Sequence, residues 1–228
     1  MINNSTKPPE ALLAAIARDL RPVKPSPLPF RLVLRMAFLA VIVSPVILLL
    51  IGIRHDSGVL GPLLTWGASA AQLGLAIVLV WIAARESTPA KRLPKNIVYL
   101  VAVATALIVA TITWLTFLTS STTVSPHVTP WVMGLACGVG STIAGGILVG
   151  LFSLVYRNAL ATRPIIAGAL YGGGAGVAIN ASWRLACPVS DPWHALGAHG
   201  TAVVATVLLG ALIGYRKKKT NRKSIVAR

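Results

Sequence analysis

Six apolar stretches, each roughly 20 residues or a little longer and none with a charge near its middle, leave this chain one kind of fold. They cover residues 32–53, 60–83, 97–118, 131–156, 164–186 and 195–215. A helix rising about 1.5 Å per residue needs about 20 apolar residues to cross a bilayer core of ~30 Å. Inside lipid its backbone N–H and C=O groups are paired within the segment itself. Charged residues make up only 11% of the 228, against roughly 25% in a soluble domain. The expected fold is therefore an all-α integral membrane protein with six transmembrane helices. Its parts are a non-membrane segment at 1–31, the membrane domain at 32–215 and a basic tail at 216–228.

The charges then orient it. The formal net charge of +16 would suit nucleic acid, but the placement of the charges does not. Of 21 lysines and arginines only Arg54 and Arg184 fall on one side of the spans; the rest lie in the N-terminal segment and the first turn of span one (Arg35), the second-to-third loop, the fourth-to-fifth loop and the tail. This is the positive-inside pattern, and it puts both termini in the cytoplasm. The tail charges are expected to hold the protein against anionic lipid, with no direct nucleic-acid binding. No cleavable signal peptide is expected, because the first apolar run starts more than 30 residues in, behind a proline-rich basic segment. Trp66, Trp114, Trp131, Trp183 and Trp193 sit in or beside the outer parts of the spans and are expected to act as interfacial anchors.

The N-terminal segment predicts a short amphipathic helix. Pro8, Pro9 and Glu10 suit a helix start. Leu12, Ile16 and Leu20 then recur every fourth residue with Leu13 beside them, and Pro22 stops the helix. A proline-rich linker follows, extended and semi-rigid. A helix of about 12 residues is marginal alone in water, so its apolar stripe calls for a partner: the membrane surface, the underside of the bundle, or a soluble protein that takes it in a groove. In spans four and five, Gly134, Gly138, Thr142, Gly146 and Gly150, and Gly168, Gly172 and Gly176, recur every four positions. Such stripes let helix backbones approach closely, which accounts for them without any chemistry.

Catalytic groupings are missing from this sequence. The five acids Glu10, Asp19, Asp56, Glu86 and Asp191 all avoid mid-membrane positions. There is no paired carboxylate, phosphate loop or Cys-x-x-Cys, so the chain is expected not to be an enzyme. An ion-coupled transporter would usually keep an ionisable group inside the bundle.

The reactive side chains gather on the outer side. Cys137 lies about 9 Å inside the outer end of span four, and Cys187 closes span five. His55, His127, His194 and His199 lie in or beside the outer loops. The run from Cys187 to His194 brings a thiol, the carboxylate of Asp191 and an imidazole within eight residues. Thiolate and imidazole suit zinc, copper or cadmium, and Arg184, three residues before Cys187, could favour the thiolate. Other readings stand beside this one. Cys137 could be a small apolar filler, the two cysteines could form a structural disulfide if their Cα atoms lie within about 7 Å, and the histidines could be ordinary loop residues.

With these residues on the page, the chain resembles the NrsF-type membrane anti-sigma factors of proteobacteria. The segment Asp19-Leu20-Arg21-Pro22-Val23 is similar to the family's Asp-Leu-x-Pro-Val stretch before the first span. Six spans with inward termini follow, and the cysteines fall in Leu135-Ala136-Cys137 and at Cys187-Pro188, where the family has its pair. The resemblance covers nearly the whole chain. It implies a multi-pass protein of the bacterial inner membrane that binds an extracytoplasmic-function (ECF) sigma factor and frees it under metal or oxidative stress. The His-x-x-x-Cys-x-x-Cys zinc helix of common soluble anti-sigma domains is absent, so that inhibitory geometry does not carry over. The expected sigma-binding residues are Leu12, Leu13, Ile16, Asp19, Leu20, Arg21, Pro22 and Val23. The expected sensor thiols are Cys137 and Cys187, with His194 and Asp191 as further metal ligands. No resident cofactor is expected; the signal would be a transient metal ion or a disulfide. The rival readings are a small-solute or metal transporter and a structural membrane subunit without a sensing role.

Overall fold

The computed structural model describes residues 10–19, 29–88, 92–120, 130–157, 159 and 161–226, and every regular element among them is a helix. Among the described residues, six stretches are long and apolar enough to cross a membrane: Phe30–Ile51, Ser57–Glu86, Lys95–Thr119, Trp131–Tyr156, Pro164–Ala186 and Pro192–Thr220. These match the six apolar runs in number and order, with ends shifted by a few residues.

A short helix α1 covers Glu10–Asp19. Leu12 and Leu13 on it are about half exposed, and every other α1 side chain that is described is exposed as well. The first long helix, α2, is Pro29–Ile51. It stops at Gly52, whose φ of 93° suits a residue without Cβ. The second span is not one regular helix. It is built from α3 (Ser57–Pro62), a π-helical turn over Leu63–Gly67 and α4 (Ala68–Glu86). Gly61, at φ 69°, breaks it just before Pro62. Next come α5 (Lys95–Thr119), α6 (Pro130–Tyr156) and α7 (Pro164–Ala186), the last with proline in its first turn. The final span opens with α8 (Pro192–His194), passes through a second π-helical turn over Ala195–Gly200 and continues as α9 (Thr201–Val226).

The centre of the bundle is α7. Of its apolar window 78% is buried, against 11% for α5, and it packs on α9, α4, α2 and α6. The glycine stripe of α7 explains its tightest neighbour. A Cβ on Gly168 would overlap the Gly210 carbonyl, and one on Gly172 the Thr206 carbonyl. Gly210 and Gly214 on α9 are equally tight against the α7 backbone. The α6 stripe behaves differently: Gly150 has open space around it, while the close approaches come from Gly140 against Trp183 and Gly145 against Thr206. This contrast gives a test. Gly172→Ala should lower the midpoint of thermal unfolding in detergent by the equivalent of about 1–3 kcal/mol of overpacking. Gly150→Ala should be neutral or gain up to ~1 kcal/mol of helix propensity. A Gly172→Ala protein as stable as the parent would rule out the backbone contact between α7 and α9.

At the end of the bundle where α4 stops and α7 starts, the loops are tied together. Glu86 is fully buried; its carboxylate accepts from Leu93 N at 2.9 Å and lies 3.5 Å from Arg163. Lys217 Nζ donates to the carbonyls of Tyr156 and Ala159 at 3.2 and 2.6 Å, and the Tyr156 ring stacks on Tyr171.

Candidate functional site

At the opposite end, three chain segments converge. Cys137 stands in the second turn of α6, Cys187 is the first residue after α7, and His194 and His199 belong to α8 and the π-helical turn that follows it. Local structure sets each of them. The Cys187 amide donates to the Trp183 carbonyl at 2.7 Å and closes α7. Asp191 is the N-cap of α8: its Oδ2 accepts from His194 N at 2.8 Å, with Pro192 in the first turn. The π-helical turn holds both Ala198 and His199 in buried positions, and Ala198 packs where Gly138 of α6 leaves room.

The side chains meet closely. Cys137 Sγ and Cys187 Sγ are 3.8 Å apart, and Cys187 Sγ is 3.4 Å from His194 Nε2. One ligand atom from each of Cys137, Cys187, His194 and His199 lies within 4.8 Å of the other three. Ser141, one turn further along α6 from Cys137, places its Oγ 3.3 Å from His199 Nδ1. The two imidazoles meet edge to face with centroids 5.3 Å apart. Both cysteines are free thiols and buried, as is His199. The hydrogen bond to Cys137, together with burial, pushes the Cys187 thiol up from its ordinary value. Two sulfurs and two imidazoles at these spacings can hold one metal ion, or the sulfurs can be oxidised to a disulfide.

The loop after α7 is clasped from the side. Arg54, only 4% exposed, sends Nη2 to Ser190 Oγ at 2.7 Å and to the Pro188 carbonyl at 3.2 Å. Its own amide donates to the Leu185 carbonyl at 2.9 Å. Asp56 completes the clasp, with its two carboxylate oxygens 2.6 and 2.7 Å from the guanidinium. Burial raises the Asp56 carboxyl, but the hydrogen bonds and charge of Arg54 outweigh it and leave Asp56 below its ordinary value. A buried charge pair of this kind is costly to break from one side only. A cavity of about 30 Å³ lies between Arg54, Arg184, Cys187 and His199, room for about one water molecule.

Several sequence-predicted residues stand elsewhere. Asp191 is outside the group of four. Arg184 gives its hydrogen bonds to partners other than Cys187: it donates to Thr116 Oγ1 at 2.5 Å and to the Leu64 carbonyl, so the cation holding the Cys187 loop is Arg54. Trp183, expected as an interfacial anchor, packs within the bundle: its ring lies against Gly140 and tilts against His199 at 6.5 Å. His55 is exposed; His127 lies outside the described residues. Among the sigma-binding candidates, Leu12, Leu13, Ile16 and Asp19 are on α1, while Leu20, Arg21, Pro22 and Val23 lie outside the described residues. Sequence reasoning grouped His199 with the outer histidines but did not give it a ligand role, and it missed Ser141. The only signal for either was helical spacing, four residues from Cys137 to Ser141 and five from His194 to His199.

A protein-family model described as NrsF, negative regulator of sigma F, matches residues 16–217. No curated protein and no solved structure matches the chain.

Proposed function

The chain belongs to the NrsF family, negative regulator of sigma F, and we infer from that membership that it is an anti-sigma factor of the bacterial inner membrane with an ECF sigma factor as its partner. The match across residues 16–217 is the observation that carries this reading, since it runs from α1 through all six long helices. In this reading both termini are cytoplasmic, and the amphipathic segment from Leu12 to Val23 grips the sigma factor. The half-exposed Leu12 and Leu13 suit such a role, because an apolar stripe without cover seeks a groove.

Cys137 and Cys187 sense a metal or an oxidant from the periplasmic side. The 3.8 Å between their sulfurs supports their acting as one unit. Their signal has a physical route. Ligation or oxidation shifts the loop after α7; Arg54 ties that loop to the segment following α2; and α2 begins at Pro29, a few residues beyond Val23. A hydrogen bond of 2.7 Å between Ser44 of α2 and Ser182 of α7 adds a second tie. Turning such a switch from 1:99 to 99:1 takes about 5.5 kcal/mol of differential binding, within reach of a metal–thiolate site.

Two measurements test the reading together. Tagged full-length protein, solubilised from membranes, should capture an ECF sigma factor of its host. Reporter fusions after Lys24, Arg92 and Arg163 and in the tail should read cytoplasm, and fusions near Asp56, Thr123 and Asp191 periplasm. Capture of no sigma factor, or one reversed loop, overturns it.

A further inference from the structure

We propose that Cys137, Cys187, His194 and His199 form a closed tetrahedral site for one zinc-group divalent cation, with His199 as its fourth ligand. This deepens the thiol reading above and rests on it for the link to sigma release, but the binding chemistry stands by itself. The argument begins with distances. Tetrahedral zinc has bonds of about 2.3 Å to sulfur and 2.0–2.1 Å to nitrogen, so two bound sulfurs lie about 3.8 Å apart and a bound sulfur and nitrogen about 3.5 Å. The structure has 3.8 Å between the sulfurs and 3.4 Å from Cys187 Sγ to His194 Nε2. The donor set then selects the ion. Two thiolates and two imidazoles suit zinc or cadmium and not calcium or magnesium, which take oxygen ligands.

The surroundings resemble those of a ligating set. A ligand imidazole usually has its other nitrogen held by a hydrogen bond that fixes tautomer and ring orientation, and Ser141 Oγ at 3.3 Å from Nδ1 does this for His199. Asp191 serves the site indirectly, by capping the short helix that carries His194. Four protein ligands leave no open coordination position, which points to binding and not to hydrolysis. The ion would bond α6, the end of α7 and the start of the last span into one unit. Each thiol gives up its proton as its metal–sulfur bond forms, and no electrons are transferred.

Cobalt(II) tests this, since tetrahedral thiolate ligation gives it intense visible bands. Reduced full-length protein in detergent is titrated with cobalt, then with zinc or cadmium as competitor. One cobalt per chain with a tetrahedral spectrum, displaced by zinc, is expected. His194→Ala and His199→Ala should each weaken binding by at least about 100-fold, the upper range seen for losing only a supporting contact. His55→Ala, at an exposed imidazole outside the group of four, should keep both the spectrum and the affinity. His199→Cys, which restores a fourth ligand, should regain tight binding with stronger sulfur-to-cobalt absorption and so separates lost ligation from misfolding. A weak octahedral spectrum, or His199→Ala binding as the parent does, overturns the site. Sigma capture by the same metal-free preparation is read separately, so failure of the regulator reading would show as lost capture with cobalt binding intact.

Discussion

Replacing Leu12, Ile16 and Leu20 together by serine should free the sigma factor while the protein remains inserted in the membrane. The three residues recur every fourth position, the spacing that in the helix expected from the sequence sets them on one stripe. Each contributes roughly 1.5–3 kcal/mol when fully buried in a partner. Even at the low end three of them amount to about 4.5 kcal/mol, on the order of a thousandfold in Kd. Insertion should be unaffected, because the six long apolar helices start only at Pro29. The checks are a sigma-dependent reporter, expected to be fully on without stimulus, and membrane fractionation, expected to be normal. Asp19→Ala should produce a smaller release, in keeping with the modest worth of a charge at the rim of an interface. A triple mutant that still keeps the reporter silent would remove this segment from the inhibitory surface.

The legible and illegible parts of this molecule divide along physical lines. Apolar runs of bilayer length are a composition signal summed over about 20 residues, so the six long helices could be read in number and order. Irregularity within a span is a different matter. Gly61-Pro62 could be read as a break, but nothing in the hydropathy of Leu63–Gly67 or Ala195–Gly200 marks a π-helical turn; these depend on how the helix meets its neighbours. The same holds for glycine. The four-residue stripe of α7 does face α9 at backbone distance, yet the equally regular stripe of α6 includes Gly150, where an added Cβ would meet open space, while Gly140 and Gly145 outside it are the tight positions. At the site, counting residues put both thiols in the outer half of the bundle but at different depths, Cys137 about 9 Å inside its span and Cys187 at the end of its own. Whether the sulfurs touch is a question of helix rotation, which counting does not reach. Arg54 was visible only as one of two basic residues on the outer side. Its clasp on Ser190, 136 residues away, is a tertiary fact without a local pattern.

Single Cys137→Ser and Cys187→Ser proteins should lose the response to zinc-group cations and thiol oxidants as completely as the double mutant. The two sulfurs act on one ion or on each other, and removing either destroys the shared unit, so the effects should not add. Each single change should reduce induction of a sigma-dependent reporter at least about tenfold, since losing even a supporting contact of a metal site costs 10–100-fold in affinity. Basal inhibition should persist, because the reduced, metal-free state is the one proposed to hold the sigma factor. Thiol labelling in intact cells separates the two signals. Both thiols are buried, so labelling is compared before and after stress: protection gained on exposure to the cation and lost on acid denaturation marks a bound cation, because acid returns the protons that the metal displaced. Protection gained under stress and kept through acid denaturation marks a disulfide. A double mutant that still responds to every cation and oxidant active on the parent would end the sensor assignment, and would do so without touching the sigma-binding role of the N-terminal segment.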